Sequence, residues 1–404
     1  MRKLIVGAVL LTATHVAAQV PASGPAPVEI HGSVFVDQNG NGSRDDGEPG
    51  VAGAAVSDQV DVVATGPNGE FRLERSQGFG LVFVSLPDGY LAAGRFWKRL
   101  SGSAGSERID FPLRQSGRAD DFTFVHASDP HLSQSSLPRL VKLRELARTL
   151  SPAFVLITGD LVKDSLRVAE AEALGYFDLL VDELGKFPVP VWTVPGNHDI
   201  FGIERHLSGV TPDRPLYGKE MYRHRLGPNY FSFNYGGVHF VGIDSVDYDD
   251  QWYYGHVDAT QLAWLERDLA LLAPETAVVT FQHIPLITSI EVLAGYRDES
   301  PAPTLITVEG KTQFRHSVAN AEAVLALLRR HRFPLALGGH MHSREMLVFE
   351  TGGQRTRFHQ SAAILGPNQV GGLEMRSGVT LYRVRGGEID DGTFLPLDPP
   401  AQPE

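Results

Sequence analysis

The chain has 404 residues, 42% hydrophobic and 21% charged, with a formal net charge of −12 and no cysteine. That length allows two domains, or one large domain with an appendage, and the composition is ordinary for a globular protein. The acidity excludes a general nucleic-acid or anionic-membrane binder, which needs clustered Lys and Arg, and the missing thiols exclude disulfide scaffolds, thiolate metal sites and cysteine catalysis.

Residues 1–18 read as a secretory signal peptide. Arg2 and Lys3 supply the positive region, Leu4 to Ala13 the apolar core, and Val16-Ala17-Ala18 the small residues before a cleavage point at Gln19. The apolar run is about half the length needed to cross a bilayer, so the expected product is secreted or periplasmic with no membrane span. Residues 19–29 are Pro- and Ala-rich and read as a linker.

Residues 30–116 give short apolar runs between Gly, Asn and Asp, such as Ser33–Val36, Asp61–Ala64, Glu70–Leu73 and Leu81–Ser85. With the Pro67-Asn68-Gly69 turn they predict a small all-β sandwich. Within it, Asp37, Asn39, Asn41, Ser43, Asp45 and Glu48 fit the pattern D-x-[DN]-x-[DN]-G-x5-E. Oxygens at those positions can cage calcium, and a polar β-loop rich in turn formers fits the same residues. With a strand rather than a helix before it, the loop is similar to the calcium-loop β-modules of bacterial surface proteins, which implies cell-surface association through this module.

After a polar stretch at 115–120, strands and helices alternate. Strands are predicted over Phe122–Ala127, Phe154–Thr158, Val189–Val194, Ala277–Gln282 and Leu335–Leu337, with a hairpin over Tyr230–Asp244 around Gly236-Gly237. Helical spacing covers Leu140–Leu150, Val168–Leu184, Ala259–Leu272 and Ala319–His331, and Arg357–Phe394 is again β-rich. This order predicts an α/β domain over residues 120–396, with two packed sheets flanked by helices. Residues 397–404 form a Pro-rich tail.

Five segments at predicted strand ends carry metal-binding side chains: Asp129-Pro130-His131, Gly159-Asp160, Gly196-Asn197-His198-Asp199, His283 and Gly339-His340-Met341-His342. Residues i and i+2 of an extended chain face one side, so Asp129 with His131, and His340 with His342, can each act together. Two neighbouring divalent ions on such nitrogen and oxygen donors suit phosphate-ester hydrolysis.

In this order and spacing, the segments resemble the calcineurin-like metallophosphoesterases. The resemblance implies a four-layer αββα sandwich and metal-dependent hydrolysis of small phosphate mono- or diesters. It further implies one metal on Asp129, His131, Asp160 and His342, and a second on Asp160, Asn197, His283 and His340, with Asp160 bridging. A hydroxide between the ions would attack phosphorus. His198 would assist the leaving group, oriented and kept protonated by Asp199. Nitrogen and oxygen donors suit Mn, Fe, Zn, Co or Ni. Purple acid phosphatases in this superfamily place an iron-binding tyrosine three residues after the Gly-Asp aspartate, where this chain has Lys163.

The stretches Ile200 to Pro228 and Ile284 to Ser317 are expected to shape the pocket. Arg205, Arg214, Lys219, Arg223 and Arg225 could hold phosphate, with Tyr217, Tyr222, Trp252, Tyr253 and Tyr254 stacking on substrate, or all could belong to a packed, solvated loop. Among the remaining histidines, His206, His224, His256 and His316 fall in loops around the site where any could touch substrate, His224 foremost, while His126, His239 and His359 lie in or near strands and read as structural. The competing reading is a surface binding or adhesion protein that uses the phosphoesterase fold as a scaffold.

Overall fold

A computed structural model describes residues 28–76, 78–102, 105–296, 303–370 and 372–398. The residues read as a signal peptide, nearly all of those read as a linker and most of those read as a tail lie outside the described residues. Among the described residues, no helix is long and apolar enough to cross a membrane.

The front region has eight strands: β1 Val28–Val36, β2 Ala55–Ser57, β3 Val62–Ala64, β4 Glu70–Ser76, β5 Leu81–Ser85, β6 Tyr90–Ala92, β7 Trp97–Arg99 and β8 Gly105–Gln115. They form two four-stranded sheets in the orders β4-β1-β8-β6 and β3-β2-β5-β7. In β8, Ile109, Phe111 and Leu113 point inward at alternate positions and meet Val34, Phe71, Val82 and Val84 in the core. All five residues of β5 are buried, because its other face lies on the following domain, where Phe83 tilts against Trp264. A strand covered on both sides reads as an unbroken apolar run.

The second region continues with β9 Asp121–Ala127, α1 Leu137–Leu150, β10 Phe154–Thr158, α2 Glu170–Leu184, β11 Val191–Val194, α3 Arg205–Ser208, α4 Glu220–Arg225, β12 Phe231–Tyr235, β13 Val238–Ile243, β14 Val246–Asp249 and β15 Trp252–Gly255. It ends with α5 Ala259–Leu269, β16 Ala277–Gln282, α6 Ile290–Ala294, β17 Leu305–Val308, β18 Lys311–Phe314, α7 Ala321–Leu328, β19 Arg332–Gly338, β20 Glu345–Thr351, β21 Gln354–Gln360, β22 Asn368–Val370, β23 Leu373–Met375, β24 Gly378–Arg385, β25 Glu388–Ile389 and β26 Thr393–Pro396. One large sheet runs β11-β10-β9-β24-β25, with β26 also on β24; the other runs β12-β13-β16-β19-β21-β20.

Alternation along the strands builds the layers. In the first large sheet Phe124, Phe154, Leu156 and Trp192 face the second sheet, while Val125, Val155 and Ile157 face Leu140 and Leu143 of α1 and Phe177 and Leu180 of α2. Between the sheets, Phe124 stacks on Phe154 at 5.4 Å and Phe233 on Phe240 at 5.0 Å. On the far side, Asp268 of α5 accepts hydrogen bonds from Ser232 Oγ and His239 Nε2, fixing that helix to β12 and β13. The expected αββα order is therefore present. The predicted helices and strands occur, with ends shifted by a few residues; the helix expected over Ala319–His331 forms over Ala321–Leu328.

Strands β9, β10 and β11 run parallel, as do β13, β16, β19 and β21. Their carboxyl ends carry Asp129, Asp160, Asn197, His283 and His340. Open α/β sheets bind ligands at that end.

Candidate metal centre

The turns after the strands are held in uncommon backbone conformations. Among the described residues, nine non-glycine positions have positive φ, and five are Asp129, His131, Asp160, His340 and His342. Such conformations cost about 1–3 kcal/mol each and persist where the surroundings enforce them. Three glycines make the necessary room. A Cβ on Gly159 would lie 2.5 Å from the His283 ring, one on Gly196 2.1 Å from the Asp160 amide nitrogen, and one on Gly339 1.9 Å from Ser128 Oγ.

Two groups of donors converge. Asp129, His131, Asp160 and His342 can place one ligand atom each within 4.8 Å of one another, and so can Asp160, His283 and His340. Asp160 belongs to both. Its Oδ2 lies 3.5 Å from His131 Nε2 and its Oδ1 3.3 Å from His283 Nε2. Asn197 joins the second group through Oδ1, 3.0 Å from His283 Nε2. Every expected ligand is therefore at one of the two centres, and His198 stands beside them with Nε2 4.0 Å from Asp160 Oδ2.

The donor set fits divalent cations. Asp129 Oδ1 is buried without a hydrogen bond, and the Nε2 atoms of His131 and His342 face each other at 3.1 Å. The His283 Nδ1–H donates to the Thr158 carbonyl at 2.8 Å, so Nε2 carries the lone pair toward the site. Burial would raise Asp160, but the surrounding imidazoles hold it well below the ordinary carboxylate range. Nitrogen and oxygen donors without thiolate suit Mn, Fe, Zn, Co or Ni.

The same charges set a pH dependence. Burial alone would lower His283, but Asp160 outweighs it and raises the imidazole to about 9. The folded value lies above the unfolded ~6.5. Its stabilising contribution is thus complete below ~6.5 and lost as pH climbs to about 9. Metal-free protein should melt at progressively lower temperature across that window. Ion-loaded protein should not show this slope, because the ions replace the proton; equal slopes in the two forms would count against charge replacement.

Asp199 does not do what was expected of it. Its carboxylate is fully buried and accepts the backbone N–H groups of Leu161, Val162 and Gly196, at 3.1, 3.0 and 2.7 Å. It ties the turn after β10 to the turn after β11, and burial followed by the nearby Asp160 charge pushes it up to about 7. His198 is oriented instead by its Nδ1–H, which donates to the Lys163 carbonyl at 2.9 Å. The Lys163 side chain is exposed, and Asp164 pairs with Arg167.

The five cations of the first insertion are each paired with a carboxylate: Arg205 with Asp250, Arg214 with Glu170, Lys219 with Asp244, Arg223 with Glu220 and Arg225 with Asp178. Tyr222 is buried and bonded to Thr193. His224 is exposed on α4, with Arg99 and Arg225 as its charged neighbours. The packed-loop reading holds for these residues. Tyr253, by contrast, stands edge-on to His340 with ring centroids 5.8 Å apart. Of the loop histidines expected around the site, His316 reaches the centre, though against a candidate ligand rather than as a substrate contact: its Nδ1 is 2.6 Å from His340 Nε2.

In the front region, Asp37 Oδ1 and Oδ2 accept backbone N–H groups of Gly40 and Gly42, and Glu48 accepts those of Gln38 and Asp45. The Asn39 and Asn41 side chains both donate to Asp45 Oδ2. The loop is closed on itself, and among the described residues its carboxylates do not form a convergent metal-binding group.

The family described as calcineurin-like phosphoesterase matches residues 122–344, and its N-terminal companion matches residues 38–116. A protein named as a probable cyclic nucleotide phosphodiesterase from Rhodococcus erythropolis is 29% identical over 44% of this chain and 57% of its own length. The serine/threonine-protein phosphatase CPPED1 of Danio rerio is 32% identical over 33% of this chain and 41% of its own. A 3',5'-cyclic-nucleotide phosphodiesterase of Nostoc is 24% identical over 52% of this chain and 62% of its own. The chain thus spans less than two thirds of the length of each.

Proposed function

The chain belongs to the calcineurin-like phosphoesterase family, and on that premise we propose that it is an exported hydrolase of small phosphate esters that works with two divalent ions. The observation that carries the reading is Asp160, whose two oxygens face two separate donor groups. Ions bound there would acidify water and neutralise phosphoryl charge. The residues of the chain supply the rest. Asp129, His131 and His342 would hold one ion, and Asn197, His283 and His340 the other, with Asp160 common to both. Thr158 fixes the His283 tautomer, and the Lys163 carbonyl aims His198 Nε2 at the cleft where a leaving oxygen would depart.

Diesters are favoured over monoesters. A monoester dianion needs more positive charge than a diester monoanion, and the five cations of the first insertion are each paired with a carboxylate. The names of the Rhodococcus and Nostoc relatives point the same way, while that of the phosphatase CPPED1 points to monoesters. Manganese-loaded protein should hydrolyse bis(p-nitrophenyl) phosphate and a cyclic nucleotide at higher kcat/KM than p-nitrophenyl phosphate. The reverse ratio overturns the diester preference, and no turnover of any ester, with two ions bound, leaves the adhesion reading in its place. Export rests on the Arg2-Lys3 and Ala18 pattern; retention of the full-length chain in the cytoplasmic fraction would rule it out.

A further inference from the structure

His340 differs from the other histidines of the centre in what holds it. His283 is fixed by a backbone carbonyl, and the same kind of group, the Lys163 oxygen, lies 3.5 Å from His131 Nδ1. His340 turns Nδ1 toward His283 Nε2, at 3.1 Å, and so offers that nitrogen to the second ion. Its other nitrogen, Nε2, faces away and lies 2.6 Å from His316 Nδ1, with the two rings nearly parallel at 4.8 Å. Nδ1 must be unprotonated to bind an ion, so Nε2 is the nitrogen that bears hydrogen, and it donates to His316 Nδ1.

His316 must then carry its own hydrogen on Nε2, and 3.9 Å beyond that atom is Glu291 Oε1. Glu291 comes from α6, is 3% exposed, and neither of its carboxylate oxygens takes a hydrogen bond. A buried carboxylate without a donor calls for an explanation. His316 Nε2, 3.9 Å away, is within ion-pair reach of it. Both outer residues belong to the insertion between β16 and α7, which therefore reaches behind the second metal.

We propose that His316 and Glu291 are positioning residues for the second metal: the chain Glu291–His316–His340 holds His340 with hydrogen on Nε2 and Nδ1 open to the ion. Outer partners of this kind typically contribute 10–100-fold to metal affinity. The inference rests on the dinuclear reading above. It makes the affinity of the second ion, not the first, depend on side chains of the insertion.

The test is manganese titration of stripped full-length protein by calorimetry, with metal content and melting temperature measured in parallel. His316→Ala should weaken the second dissociation constant by about 10–100-fold and leave the first within about twofold. His316→Asn, whose Oδ1 can replace Nδ1 as acceptor, should recover most of the loss. Glu291→Gln keeps the volume and should weaken the second ion by about 10-fold; it serves as the probe if His316→Ala does not fold. In zinc-loaded protein, the His340 imidazole nitrogen shifts should report hydrogen on Nε2. Two tight ions in wild type with both constants unchanged in a folded His316→Ala, or in Glu291→Gln, overturn this inference alone. Fewer than two ions in wild type overturn the dinuclear reading and this inference with it.

Discussion

Asp160→Asn should lower kcat/KM by at least about 10³-fold and take the bound metal from two ions to one or none. Loss of a single well-placed electrostatic donor typically costs 10²–10³-fold. Asp160 does more than one such donor. Among the described residues it alone is shared by the two donor groups, and its two oxygens are oriented toward different imidazoles. It also accepts the His198 backbone N–H at 2.8 Å, so its loss unties the turn that carries His198. A 10³-fold fall corresponds to about 4 kcal/mol of transition-state stabilisation. Asn is the cleaner probe, because Asp160 has φ +48 and Asn tolerates that conformation better than Ala does. Metal content by mass spectrometry and kinetics on the bis ester check the result. Near-normal turnover with two ions bound would sink the bridging role.

The positions of the candidate ligands were legible in the sequence for a physical reason. Buried parallel strands read as apolar runs, their ends are marked by glycine, and chemistry collects at their carboxyl ends. Val155 to Thr158 followed by Gly159-Asp160 shows all three signals. The packed sheets followed from the same alternation that sends Phe124 to one side and Val125 to the other. Strand β8 is a weaker case, since Pro112 interrupts an otherwise alternating run, and proline counts against a strand interior.

What stayed illegible depends on contacts between distant residues. The pairing of Lys219 with Asp244, or of Arg214 with Glu170, leaves no local trace, so five cations looked available for phosphate when all were engaged. The front region is likewise joined to the second by contacts across great sequence separations. Trp264 Nε1–H donates to Ser57 Oγ, Gln59 reaches Asn229 and Tyr230, and Ser232 meets Ser85. The Asp199 role failed on local geometry that was knowable. Asn197–Asp199 is one turn of 3-10 helix, and adjacent residues on a helical turn project in different directions. His198 is therefore partly exposed beside Asp160 while Asp199 is buried in the fold. His316 falls in a loop expected around the site, but nothing local ties it to His340, 24 residues on.

His198→Ala should cost little with one leaving group and much with another, and that contrast identifies its role. The ring is anchored by Nδ1–H to a neutral carbonyl, which fixes its direction and leaves Nε2 to hold or give a proton. Nε2 stands 4.0 Å from Asp160 Oδ2, and the ring lies edge-on to His131 at 4.6 Å. Nitrophenolate departs readily as an anion and needs no proton. A sugar or alkyl alkoxide does. Positioned acid catalysis is worth about 10²–10⁴-fold, so kcat should fall by that amount on a cyclic nucleotide or alkyl diester and by about 10-fold or less on the bis(p-nitrophenyl) ester. Metal content should stay at two ions, because His198 belongs to neither donor group. Equal losses on both substrates would assign His198 to phosphate binding instead, and a loss of metal in the variant would make it a ligand. Because Asp199 bonds three backbone N–H groups rather than His198, Asp199→Asn should act through stability. Its carboxyl is raised to about 7 by burial and Asp160, so a neutral amide there relieves buried charge but gives up one acceptor among the turn amides. The leaving-group contrast measured for His198→Ala should therefore be absent in Asp199→Asn, and its appearance there would restore the paired role that the geometry removes.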